Sequence, residues 1–106
     1  MTDYQIVYET EALDSLDEIA WYYTTHASYD VAQRNLQKIL TSINSLDTMP
    51  MRCPIADFSP HIHKFLIIGL PYIAFFTIRG DCVHILDVFH TRQSQDILYT
   101  RYKNQA

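Results

Sequence analysis

The stretch Lys64–Arg92, KFLIIGLPYIAFFTIRGDCVHILDVFHTR, decides the fold. It divides into three apolar runs, separated by Gly69-Leu70-Pro71 and by Gly80-Asp81, and it leaves through His90-Thr91-Arg92. The runs are rich in Ile, Val, Phe and Tyr, the residues that suit a pleated surface packed on at least one face, and turn residues bound each of them. Three successive strands joined by short turns make an antiparallel meander. Such a sheet needs a cover, and the preceding residues supply two amphipathic helical patterns for it.

Working outward, Tyr4–Tyr8 alternates Tyr4, Ile6 and Tyr8 against Gln5 and Val7, the period of a strand with one face on the core. Thr10 is placed to cap a helix with Glu11 and Asp14 in its first turn, where acids complement the dipole. Ala12, Leu13, Leu16, Ile19, Ala20 and Tyr23 form its apolar stripe, and Asp14, Asp17 and Glu18 form a solvated face. Ser28 caps a second helix with Asp30 in its first turn and Ala32, Leu36, Ile39, Leu40, Ile43 and Leu46 on one side; Pro50 ends it. The link at Thr25–Ala27 is short enough to force an antiparallel helical hairpin. Residues Pro50–Pro60 hold three of the four prolines and no periodicity, so they read as a loop crossing to the meander. The expected architecture is α+β, an antiparallel sheet with an N-terminal helical hairpin packed on it, in the order β-α-α-β-β-β.

Composition narrows the function. A chain of 106 residues with 48% hydrophobic types buries one modest core, so residues 1–106 are expected to form a single domain. No apolar run approaches the ~20 residues that span a bilayer, which argues against a membrane role. Met1-Thr2-Asp3-Tyr4 has neither the basic stretch nor the apolar segment of a secretion signal, and the expected location is the cytoplasm. There Cys53 and Cys82 are expected as reduced, packed thiols. Eight Lys and Arg stand against twelve Asp and Glu, a formal charge of −4. Strong direct nucleic-acid binding depends on a basic excess that displaces counterions, so none is expected.

With these segments in place the chain resembles the RelE/ParE superfamily of bacterial toxins. Ala12-Leu13-Asp14-Ser15-Leu16-Asp17-Glu18-Ile19 looks like the superfamily's first-helix pattern Ala-x-x-Asp-Leu-x-x-Ile with small shifts. Ala32 and Leu46-Asp47-Thr48-Met49-Pro50 match the start and the Leu-x-x-x-Pro end of its second helix. Tyr72-Ile73-Ala74-Phe75-Phe76 occupies the place of the aromatic strand Tyr-Arg-x-x-Tyr, and Val88-Phe89-His90-Thr91-Arg92 fits Val-x-His-x-Arg at every fixed position. The resemblance spans residues 4–92. It implies the toxin of a type II toxin–antitoxin pair, bringing growth arrest and plasmid stabilisation, and a cognate antitoxin protein whose C-terminal segment wraps across the toxin.

One departure bears on mechanism. Superfamily members that cut messenger RNA on the ribosome carry an Arg after the first Tyr of the central strand, and here that position is Ile73. Attack of a ribose 2′-hydroxyl on its phosphate needs a proton acceptor, a proton donor and cations for the phosphorane. Lys64, His90, Arg92 and Tyr99 are the candidates for those roles, but Ile73 cannot replace a phosphate-binding guanidinium. The resemblance therefore leans to ParE, whose members poison DNA gyrase, over the RelE ribonucleases; an inert relative that retains only antitoxin binding is a third reading. On the gyrase reading His90, Arg92, Tyr99 and Tyr102 are the candidate target- or partner-binding residues. His90 and Arg92, two apart at a strand end, are expected to share one surface; the alternative is a structural role, capping the strand's edge and binding nearby carboxylates. Trp21 is expected to close the rim of the core.

His61, His63, His84 and His90 with two Cys raise the question of metal, but a third and fourth ligand at recognisable spacing are missing, and neither a metal nor another cofactor is expected. Neither thiol stands in a setting that marks a nucleophile. Asp87, between Leu86 and Val88, needs a partner if it faces inward, and Arg79 or Arg92 is the expected one.

Overall fold

The computed structural model describes residues 3–102. Met1, Thr2 and the last four residues, which the single-domain reading and the export reading include, lie outside the described residues. The elements are β1 (Gln5–Tyr8), α1 (Thr10–His26), α2 (Tyr29–Asn44), β2 (Ile55–Ala56), β3 (Ser59–Leu66), β4 (Tyr72–Arg79), β5 (Cys82–His90) and α3 (Asp96–Tyr102). They form one five-stranded sheet in the order β1-β5-β4-β3-β2. Strands β2 to β5 are antiparallel to their neighbours, and β1 joins β5 in parallel, with Gln5 opposite Cys82 and Tyr8 opposite Ile85. The antiparallel meander thus carries one parallel edge, and the helical hairpin lies in the long connection that precedes the meander.

The hairpin covers one face. Ala12, Leu16 and Ile19 of α1 and Ile39 and Ile43 of α2 pack on Tyr72, Ala74, Phe76, Val83, Ile85 and Val88. Leu13, expected in the stripe, is half exposed, and Trp21 stands out of the surface at 69% exposure instead of closing the rim. Ser28 caps α2 as its chemistry predicts, its Oγ accepting from the Val31 N–H at 3.1 Å. The first helix differs from expectation: Glu9, not Thr10, holds the N-cap position and makes no side-chain cap bond. The link between helices is only Ala27-Ser28, and α2 stops at Asn44, giving way to a 3-10 turn at Ser45–Asp47.

The opposite face holds a second, smaller core. Ile62, Phe75, Leu86 and Phe89 are closed over by Leu98 and Tyr102 of α3. Alternation along β4 sends Tyr72, Ala74 and Phe76 to the hairpin and Ile73 and Phe75 to α3, as a period of two dictates. Phe75 and Phe76 are fully buried on opposite sides, each contributing on the order of 2–3 kcal/mol by removal from water. The loop expected at residues 50–60 contains more order than its prolines suggest. A 3-10 turn forms at Pro50–Arg52, β2 pairs with β3, and β3 begins at Ser59 rather than at Lys64.

One irregularity shapes β5. Phe75 pairs with Asp87 and Phe76 with Ile85, so two residues of β5, Leu86 and Asp87, oppose one position of β4. This β-bulge lets both Ile85 and Val88 face the hairpin. Gly80, at φ 60°, makes the turn between these two strands, in a conformation that costs an L side chain.

Candidate functional site

His90 is the last residue of β5 and lies opposite Tyr72 on the hairpin side, the two rings edge to face with centroids 5.4 Å apart. The chain folds tightly behind it. The His90 N–H donates to Gln93 Oε1 at 2.8 Å, and the Gln93 N–H donates back to the His90 carbonyl at 2.9 Å. The Arg92 N–H donates to His90 Nδ1 at 3.1 Å, which makes Nδ1 an acceptor and leaves the proton of the neutral ring on Nε2. This turn fixes the ring at the mouth of a cleft of about 410 Å³ between α1 and the strand exit, where Glu18, Tyr22, Tyr23, Tyr72 and Gln93 also line the wall. Inside it the Tyr72 hydroxyl donates to the Tyr23 oxygen at 3.3 Å. Burial, and then that hydrogen bond, push the Tyr72 phenol well above its ordinary pKa, so it stays protonated in neutral solution.

The other candidate residues do not converge on His90. Because β5 ends at His90, Arg92 belongs to the following turn and is not the alternate residue of a strand; its side chain is exposed. Tyr99 is 52% exposed on α3, beside Asp57, Phe58 and Asp96. Tyr102, expected at the surface, is 9% exposed and belongs to the second core. Lys64 lies on β3 opposite Phe75, so it shares the α3 face of the sheet. It borders a second concavity of about 570 Å³ with Arg52, Leu66 and Ile73. Ile73 packs against the apolar cluster of that face and opposes Leu66 and Phe89 in the sheet.

Asp87 is 3% exposed and is partnered by neither Arg79 nor Arg92. The actual partners are Ser15 and Arg101: Ser15 Oγ donates to Oδ1, and Arg101 Nη1 donates to Oδ2 at 3.2 Å. The position explains the burial. Strand β1 ends opposite Ile85, so the rest of β5 has no strand on that edge, and Asp87 Oδ1 accepts from the Val88 N–H at 2.8 Å in its place. Sequence reading misses Ser15 and Arg101 because they stand 72 and 14 residues away. It misses the aromatic wall of the cleft too. The Tyr22-Tyr23 pair next to Glu18 is the available signal, masked because a helical stripe accounts for Tyr23 as core.

The remaining histidines have separate surroundings. His63 Nδ1 lies 2.8 Å from the Cys53 carbonyl and its ring stacks on Phe76, while His84 Nδ1 lies 3.7 Å from Glu9. No group of three His, Cys, Asp or Glu that could hold a metal ion occurs among the described residues. Burial pushes the Cys53 thiol above its ordinary value, against a smaller opposing effect of Arg52. Desolvation and then Asp81 do the same to Cys82. No helix among the described residues is long and apolar enough to cross a membrane.

Comparison with known structures matches this architecture. A chain of the chromosomal ParDE toxin–antitoxin system from P. aeruginosa superposes with a TM-score of 0.76 at 18% identity, covering 82% of this chain and 95% of its own. The isolated E. coli RelE toxin is a more distant likeness, with a TM-score of 0.52 at 12% identity, 92% of this chain and 95% of its own being covered. No curated protein sequence matches. The model of one family, the ParE toxin of the type II toxin–antitoxin system parDE, matches residues 6–95, from the first strand through the turn behind His90. The chain therefore belongs to the ParE toxin family of type II toxin–antitoxin systems.

Proposed function

We propose that this protein arrests growth by binding DNA gyrase, and that a cognate antitoxin neutralises it by covering the surface used for that binding. One observation carries the choice of target. Cleavage of RNA needs a base, an acid and phosphate-binding cations around one scissile bond, within about 3 Å of the atoms they serve. Lys64 lies on the α3 face of the sheet and His90 on the hairpin face, so these two candidates have the sheet between them. Ile73, where the ribonucleases of the superfamily carry Arg, is part of an apolar cluster. A binding mechanism asks only for shaped surfaces: His90 and Arg92 offer polar groups at the strand exit, and Tyr99 offers an exposed ring apart from them on α3. Tyr102 contributes by holding α3 in place.

The test is direct. The purified protein should block supercoiling by gyrase while leaving ribosome-bound messenger RNA intact in a purified translation system. Codon-dependent cleavage without an effect on gyrase would transfer the function to the ribonuclease reading. Induction of the chain alone in bacteria should stop growth, and co-expression of the antitoxin should restore it. Normal growth with confirmed folded protein would leave only an inert, antitoxin-binding relative.

A further inference from the structure

The cleft beneath His90 has a chemistry of its own. Its walls are the rings of Tyr22, Tyr23 and Tyr72, and its rim carries the Glu18 carboxylate. Tyr22 and Tyr23 meet edge to face at 5.4 Å, and the Tyr72 and Tyr23 hydroxyls are bonded to each other, so three phenol rings are held in fixed mutual orientation. None of the described residues lining the cleft is Lys or Arg. The helix that supplies two of the walls carries Glu11, Asp14, Asp17 and Glu18 and neither Lys nor Arg, and Tyr22 and Tyr23 stand in its C-terminal half, the negative end of its dipole. Aromatic faces attract a cation through their quadrupole, and a carboxylate at the rim gives it a charge-assisted hydrogen bond. An anion would meet the Glu18 carboxylate and the negative faces of the rings, with no Lys or Arg in the lining to offset them.

We propose that this cleft is a binding site for a basic side chain, the guanidinium of an Arg or the ammonium of a Lys, presented by a partner protein. The aliphatic stem lies against Tyr22 and Tyr72, and the charged head sits between the rings and Glu18. Tyr22 is half exposed at the mouth, Tyr23 is partly buried and Tyr72 closes the floor, an arrangement that suits a side chain inserted from a docked segment. The volume exceeds what an ion alone would fill. The identification of that partner as the antitoxin rests on the function proposed above; the ligand chemistry does not.

The experiment therefore begins without the partner. The full chain, labelled for NMR, is titrated with acetyl-arginine amide and, in parallel, with acetyl-citrulline amide, which has the same shape without the charge. The arginine probe should move the ring signals of Tyr22, Tyr23 and Tyr72 in a saturable way, and citrulline should not. Glu18→Gln and Tyr22→Leu, both at exposed positions, should each weaken the arginine probe about threefold, the size of an exposed ion pair or cation–π contact, with the circular dichroism spectrum unchanged. Equal response to the two probes, or shifts that centre elsewhere, would overturn the site. A second arm measures the affinity of the co-purified antitoxin for the Glu18→Gln protein. A drop alongside the loss of arginine binding supports the antitoxin as the source of the side chain; unchanged affinity overturns that assignment and leaves the cation site standing.

Discussion

Arg101 of α3 reaches through to Asp87 in the middle of β5, Nη1 to Oδ2 at 3.2 Å, and the same carboxylate is held from α1 by Ser15. One buried acid thus joins the two layers that lie on opposite faces of the sheet. Arg101→Ala should destabilise the fold by about 1–2 kcal/mol, less than a fully buried pair because the arginine side chain retains 31% exposure. The expected loss in thermal midpoint is about 5–15 °C. Adding Asp87→Asn in the Arg101→Ala protein should restore part of it, since the amide carries no unpaired charge; additive losses in the double-mutant cycle would mean the two groups do not interact.

At the strand exit, stability and the proposed activity should separate. Arg92 is exposed, and it holds the turn through its backbone N–H, not its side chain. Arg92→Ala should therefore leave the thermal midpoint within a few degrees, as exposed charges contribute only ~0–1 kcal/mol, and should reduce growth arrest. A variant that unfolds would show the side chain to be structural and remove it from the target surface.

Two tyrosines of α3 should behave oppositely. Tyr102 is in the second core with Leu98, whereas Tyr99 is half exposed. Tyr102→Ala should cost about 3–5 kcal/mol through the cavity it leaves, and urea unfolding will measure it. Tyr99→Ala should cost less than about 1 kcal/mol; any fall in toxicity then reflects lost binding.

Alkaline pH should expose Tyr72. Its phenol is raised above the ordinary value of 10.0 by burial and by Tyr23. Between the unfolded value and the raised folded one, the native state holds a proton that the unfolded chain has released, so stability is complete below pH 10 and falls as pH rises above it. Tyr72→Phe should flatten that fall, and the tyrosinate absorbance titration should lose its latest component. An unchanged alkaline profile would place the responsible group elsewhere.

What the sequence reveals follows from the range of each interaction. The β4 and β5 strands, both helices and the Ser28 cap come from periodicities and local bonds within a few residues, so Tyr72–Arg79 and Ala32–Ile43 can be read directly. The parallel pairing of β1 cannot, because it joins Gln5 to Cys82 and leaves no local trace. Strand β2 hides among prolines, since two residues, Ile55 and Ala56, are too few to display a period. The site is partly legible. His90 stands out from its motif, yet the residues that surround it, Glu18, Tyr22 and Tyr23, come from a helix far back in the chain. The alternation expected to align Arg92 with His90 belongs to a strand that ends two residues before Arg92.

The extra residue in β5 sets the phase of everything after it. Counting by twos from Val83 places Ile85, Asp87 and Phe89 together and sends His90 to the α3 side, whereas the pairing with β4 puts Val88 and His90 on the hairpin side with Val83. The strand therefore works as two half-strands of opposite parity: the first is locked into the core by β1, and the second is free to direct its terminal side chains elsewhere. Deleting Leu86 would remove the bulge and leave Val83, Ile85, Val88 and His90 in plain alternation, still on the hairpin side; keeping Leu86 in a strand without a bulge would rotate the His90 exit by half a turn, out of the tyrosine cleft and into the shadow of α3. A single inserted or missing residue in a strand, where no bulge absorbs it, is enough to move the same exit motif to the other side of the protein.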